Sequence, residues 1–107
     1  MSVIHMADLL TLAHFTPYLG SSFRLSGVDG VTLVLTQASL CAPFKKGGIP
    51  VAPLAREPFD LIFLGPMSPI LPQQIYRFET ESMEPLEIFI VPIGPIEGGM
   101  GYQAIFN

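Results

Sequence analysis

The chain has one cysteine, Cys41, and no tryptophan. A single thiol excludes an intramolecular disulfide and any zinc or iron–sulfur site built from several thiolates. Small secreted domains often carry such staples, so their lack here points to the cytoplasm. Charge is scarce as well. Charged residues make up 13% of the chain, and the five basic residues are outnumbered by nine acidic ones, for a net charge of −4. A nucleic-acid binder needs a basic footprint, which is missing, so no nucleic-acid partner is expected. No basic region precedes the N-terminal apolar stretch, which His5 and Asp8 interrupt, so it does not read as a signal peptide. The uncharged run from Leu61 to Tyr76 is broken by Pro66, Pro69 and Pro72 and is too short to span a bilayer, so no membrane association is expected.

What the chain does have is apolar mass and backbone punctuation. Half of the 107 residues are hydrophobic, and ten glycines and eleven prolines divide them. The apolar share excludes disorder, and the glycine and proline content excludes a long helical bundle. A chain of this length makes one domain, residues 1–107.

The first twenty residues differ from the rest. Met6, Leu9, Leu10 and Ala13 follow helical spacing. Thr11 is placed to cap a short turn with His14 three residues on, Pro17 suits an early helical position, and Gly20 suits a left-handed stop. These features predict one or two short helical pieces within residues 4–19.

From Ser21 onward the period is two. Phe23 and Leu25 flank Arg24, and Val28-Asp29-Gly30-Val31 is a hairpin signal. Val31 to Leu40 reads as a strand buried on both faces, since Val31, Leu33 and Leu35 alternate with Thr32, Val34 and Thr36. Residues 42–57, with Pro43, Lys45, Lys46, Pro50 and Pro53, read as a long exposed loop holding the chain's only basic cluster. Further strands are predicted over Phe59–Leu64, Gln74–Glu79, Leu86–Val91 and Tyr102–Phe106. A turn falls at Ser82–Pro85, a bulge or edge at Pro92 and Pro95, and a hairpin at Glu97-Gly98-Gly99. The expected fold is mainly β: about six antiparallel strands in a small meander barrel or sandwich, with the short N-terminal helix over one opening or edge. Its core should hold Phe15, Phe23, Leu33, Leu35, Phe63, Ile88, Ile90 and Phe106.

No catalytic constellation emerges. Cys41 with His5 or His14 could be written as a dyad, but no spacing joins them, and a thiol ending an apolar strand is expected to be inert. His14 stands where a capping residue belongs rather than a ligand. Glu79, Glu81, Glu84 and Glu87 surround one turn without the spacing of a calcium loop, which reads as a solvated acidic tip, and Glu87 reads as a guard against edge pairing of the apolar strand Leu86–Val91. Gly98-Gly99-Met100-Gly101 leads into a strand, whereas a phosphate cradle leads into a helix. Lys45, Lys46 and Arg56 lack the aromatic interleaving of a single-strand binder. The chain therefore reads as a non-enzyme with no cofactor and no metal.

Three segments carry a resemblance: Leu12-Ala13-His14-Phe15-Thr16-Pro17-Tyr18-Leu19-Gly20-Ser21-Ser22-Phe23, then Pro58 to Pro66 with Leu71 to Tyr76, and finally Val91 to Pro95 with Gly101 to Asn107. Over nearly its whole length the chain resembles a family of short bacterial proteins classed as a domain of unknown function. Such proteins are associated with the gene neighbourhoods of phage-tail-like collar proteins. The resemblance implies no activity and carries over no catalytic residue. It implies that the closing Tyr-x-Ala-x-Phe-Asn segment is built into the fold. His14 departs from the pattern, where an acid is expected.

Two readings of different class follow. In the first, the protein is a structural or interaction module, forming a homo-oligomer or joining a larger assembly such as a phage-tail-like particle. A small domain this apolar leaves hydrophobic groups at its surface. The expected surface is Met67, Ile70, Leu71, Ile93 and Ile96, carried by the proline-rich connections. In the second, the mouth of a small barrel binds an apolar ligand, with Tyr18, Tyr76 and Tyr102 supplying polar tips.

Overall fold

In the computed structural model, residues 10–28, 30–40 and 58–106 are described. Their order is a one-turn helix α1 (Leu12–Phe15), a 3-10 turn (Thr16–Tyr18), and six strands. The strands are β1 (Ser22–Leu25), β2 (Thr32–Leu40), β3 (Phe59–Gly65), β4 (Gln74–Thr80), β5 (Met83–Ile96) and β6 (Gly99–Phe106). All neighbouring pairs are antiparallel, and the sheet closes on itself in the ring order β1-β2-β3-β6-β5-β4. Two three-stranded meanders are thus joined along β3–β6 and β1–β4. Closure removes every sheet edge, which decides for a barrel over a sandwich.

The alternation within each strand explains the interior. β3 reads buried at Phe59, Leu61, Phe63 and Gly65 and half-buried between them. Tyr102, Ala104 and Phe106 share the inner face of β6, as their spacing predicts. All eight core residues expected from the sequence are buried. Phe23, Phe63 and Phe78 meet in the middle of the barrel, with Phe23 edge-on to Phe63 at a centroid distance of 5.7 Å and Phe63 at 4.9 Å from Phe78. Such tilted and edge-on contacts suit the quadrupoles of the rings.

One end of the barrel is stoppered by α1. Phe15 is fully buried, with ring centroids 5.8 Å from Phe59 and 5.5 Å from Phe106, which themselves stack at 4.7 Å. Four residues of helix cannot persist alone; this helix survives because its one buried side chain completes an aromatic cluster. The expected helical pieces from residue 4 to residue 9 lie outside the described residues, as do Asp29, Cys41 and the expected loop 42–57.

Three expectations are corrected. β2 is buried on one face only: Leu33 and Leu35 point inward, Thr32 and Thr36 are exposed, and Val34 is half-buried. In a closed barrel the second face of a strand meets solvent unless another layer covers it. The strand expected at Leu86–Val91 runs from Met83 to Ile96, because Pro85 and Pro92 are absorbed and the irregularity falls between Pro92 and Gly94. A bulge there re-aims the strand without ending it. Glu87 guards no edge, since β5 is paired on both sides.

Candidate functional site

The described surface and the two barrel ends carry the candidate groups. The end opposite α1 is closed by the connection between β3 and β4. Its Leu71 is buried, and its backbone N–H donates to the Tyr102 hydroxyl at 2.9 Å. Beside it the Tyr76 hydroxyl donates to the Pro72 carbonyl at 2.8 Å. Burial, and secondarily the neighbouring Tyr102, raises the Tyr76 phenol above its ordinary value. Tyr18 lies elsewhere: its hydroxyl donates to the Ser82 carbonyl at 2.9 Å, at the turn between β4 and β5.

These bonds decide how the expected ligand tyrosines are used. Tyr76 and Tyr102 do meet, but both hydroxyls are committed to backbone groups of one strap, and Tyr18 joins neither. Polar tips that tie down the chain are not offered to a ligand. Tyr102 also packs closely at the same end. A Cβ built on Gly65 would stand 3.2 Å from its ring and 2.6 Å from Leu33.

Of the residues expected to form an interaction surface, Met67, Ile70 and Ile93 are exposed. Ile96 is half-buried and, with Ile93, leans over Gly101, whose missing side chain leaves the space they occupy. Leu71 is corrected: it is 5% exposed, because the connection folds inward to close the barrel. The two loops stand at the same end, since Gly65 and Pro95 both face Met100.

The largest exposure lies elsewhere, on the outer sheet face. Ile75 on β4 is 61% exposed and sits directly opposite Phe89 on β5, itself 50% exposed. Ile105 on the neighbouring β6 is 58% exposed. Sequence reasoning passed over this pair, although a signal existed. Ile75 has the same parity as Arg77 and Glu79, and Phe89 the same parity as Glu87, so both had to point out once those charges did.

A second feature is an open groove of about 560 Å3 across the outer side of β2, β3 and β6. Ile62, Ile93 and Ile96 give it apolar walls, and Asp60 and Glu97 give it two carboxylates. Gln103 Nε2 donates to Asp60 Oδ2 at 2.9 Å and holds that carboxylate in place. The bulge in β2 between Leu35 and Gln37 borders the groove, where the Thr36 hydroxyl donates to the Ile62 carbonyl at 3.1 Å.

Among the described residues no cluster of three or more His, Cys, Asp or Glu could hold a metal ion, and no helix is long and apolar enough to cross a membrane. His14 is used locally: Thr11 donates its backbone N–H to His14 Nδ1 at 2.9 Å. A family model described as a domain of unknown function (DUF6916) matches residues 10–106. No curated protein and no solved structure matches the chain.

Proposed function

Because the chain belongs to the DUF6916 family of domains of unknown function, its own surface must supply the reading, and we propose that it is a non-catalytic association module. It assembles with copies of itself through the outer face of β4 and β5. The observation that carries this is the Ile75–Phe89 cross-strand pair, apolar and well exposed on a face whose flanking pair, Arg77 and Glu87, is charged. Isolated exposed apolar residues mean little. Two directly opposed ones, with Ile105 one strand over, form a patch that a monomer would leave wet. The resemblance to proteins encoded beside phage-tail-like collar proteins supports a finer assignment, an accessory of such a particle acting in the bacterial cytoplasm before assembly.

The test is sedimentation of the wild-type protein beside the double variant Ile75→Glu, Phe89→Glu. The wild type should sediment as a dimer or larger, and the variant as a monomer that keeps the circular dichroism spectrum of the folded barrel. A wild-type monomer at millimolar concentration would overturn the reading.

A further inference from the structure

The groove over β3 and β6 has a chemistry that apolar self-association does not use. Its walls are aliphatic, from Ile62, Ile93 and Ile96, while its ionisable groups among the described residues are two carboxylates, Asp60 and Glu97. Among the described residues no cation pairs with either. The described arginines, Arg24 and Arg77, belong to β1 and β4, across the ring from β3 and β6, and Arg77 stands 3.5 Å from Glu79.

We infer that this groove is the docking site for a lysine- or arginine-bearing segment of a partner protein. Its cationic heads lie on Asp60 and on Glu97, and the methylene stems pack against the three isoleucines. Long basic side chains bury such stems on apolar surface while their heads stay polar. Asp60 is half-buried and held by the neutral Gln103 amide, which orients the carboxylate and leaves lone pairs for a second donor. A carboxylate in that position gains more from an incoming cation than one in open water. The Gln37 and Gln103 amides, also in the lining, can bond the backbone of an extended segment. The volume suits a few residues of a peptide rather than a lone ion. A second copy is the poorer occupant, because its described cations, Arg24 and Arg77, sit on the paired strands β1 and β4 and not on a free extended segment. The groove adjoins the Ile75–Phe89 face at Ile105, the cross-strand partner of Asp60, but takes no lining from Ile75 or Phe89, so docking measured on the Ile75→Glu, Phe89→Glu variant separates it from self-association.

The test is a titration with an acetylated hexapeptide of alternating isoleucine and arginine, followed by NMR of the isoleucine methyls and glutamine side-chain amides. The expected result is saturable shifts at Ile62, Ile93, Ile96, Gln37 and Gln103. Affinity should fall by about tenfold or more in the double variant Asp60→Asn, Glu97→Gln, and should fall with added salt. Both substitutions keep shape and, at Asp60, an acceptor for Gln103, so the variant should remain folded and sediment as the wild type does. Any of three results would overturn the inference: no localised shift, an equal response to the same peptide with glutamate for arginine, or equal affinity in the double variant. Spermidine binding as tightly as the hexapeptide would overturn it too, in favour of a free amine.

Discussion

The hydroxyl of Tyr102 accepts the backbone N–H of Leu71 at 2.9 Å inside the closed end of the barrel. One residue had been expected in a ligand pocket and the other on an association surface; each is instead the other's structural partner. Tyr102 is fully buried and Leu71 nearly so, so no water is at hand to replace the bond. Tyr102→Phe keeps the ring and strands a buried donor. Its cost should be about 1–3 kcal/mol, the desolvation penalty of an unsatisfied N–H. Urea denaturation measures it, and an unchanged midpoint would show that Leu71 is not anchored this way.

Tyr76 gives a pH dependence. Its phenol must stay protonated to donate to the Pro72 carbonyl, and burial raises it above the ordinary value of 10.0. A raised value in the folded state means that the unfolded chain loses this proton first. The stability it contributes is complete below pH 10.0 and is lost as pH climbs through the folded value. The wild type should therefore lose more stability than Tyr76→Phe between pH 9 and pH 11. Parallel melting curves for the two proteins over that range would contradict this.

Much of the fold was legible because a barrel strand has one inner face, and period-two alternation names it. Phe63 and Phe106 could be placed in the core from their neighbours alone. The closed ring was not legible, since nothing in Arg24-Leu25 or Phe78-Glu79 announces that β1 and β4 pair across half the chain. Leu71 was misplaced for a related reason. Proline-rich connections normally run over the surface, and only closure of the barrel draws this one inward. The groove was invisible because Asp60, Gln103 and Glu97 come from three separate places in the sequence and meet only through strand register. The exposed Ile75–Phe89 pair is readable from parity with Arg77 and Glu87, but only their pairing in register makes the two a patch.

His14 fills the place that Glu or Gln takes in a capping box, accepting the Thr11 N–H. His14→Ala should cost about 0.5–1 kcal/mol by freeing that donor. His14→Glu should restore it, since a carboxylate both accepts the bond and suits the first turn of a helix. Chemical denaturation of the three proteins ranks them. A destabilised His14→Glu would mean that the imidazole is held by its shape and not by its acceptor.

Gly65 stands where β3 passes Leu33 and the Tyr102 ring. Its backbone does not need glycine, so Gly65→Ala tests packing alone. The added methyl would meet Leu33 at 2.6 Å and Tyr102 at 3.2 Å, both deep in the core. Overpacking of this kind costs about 1–3 kcal/mol. A lowered melting temperature, partly rescued by Leu33→Val, is the expected outcome; an unchanged one would mean that the barrel end is loosely filled.

The C-terminal strand should tolerate no trimming. Ordinary termini fray, but β6 lies between β3 and β5 and pairs with both. Removing residues 103–107 deletes the partners of Val91, Asp60, Leu61, Ile62 and Phe59. It also removes Phe106 from the cluster with Phe15 and Phe59, so Phe15 loses one of its two ring partners. The loss of Phe106 alone is worth about 3–5 kcal/mol on the scale of buried Phe→Ala changes, a large share of a small domain's stability. The truncation then opens two edges at once, and β5 offers Phe89 and Ile90 to any passing strand. The truncated chain should be recovered as aggregate, with Phe106→Ala soluble but melting at a lower temperature. Monodisperse truncated protein with a native melting curve would mean that β6 is not a structural member of the ring.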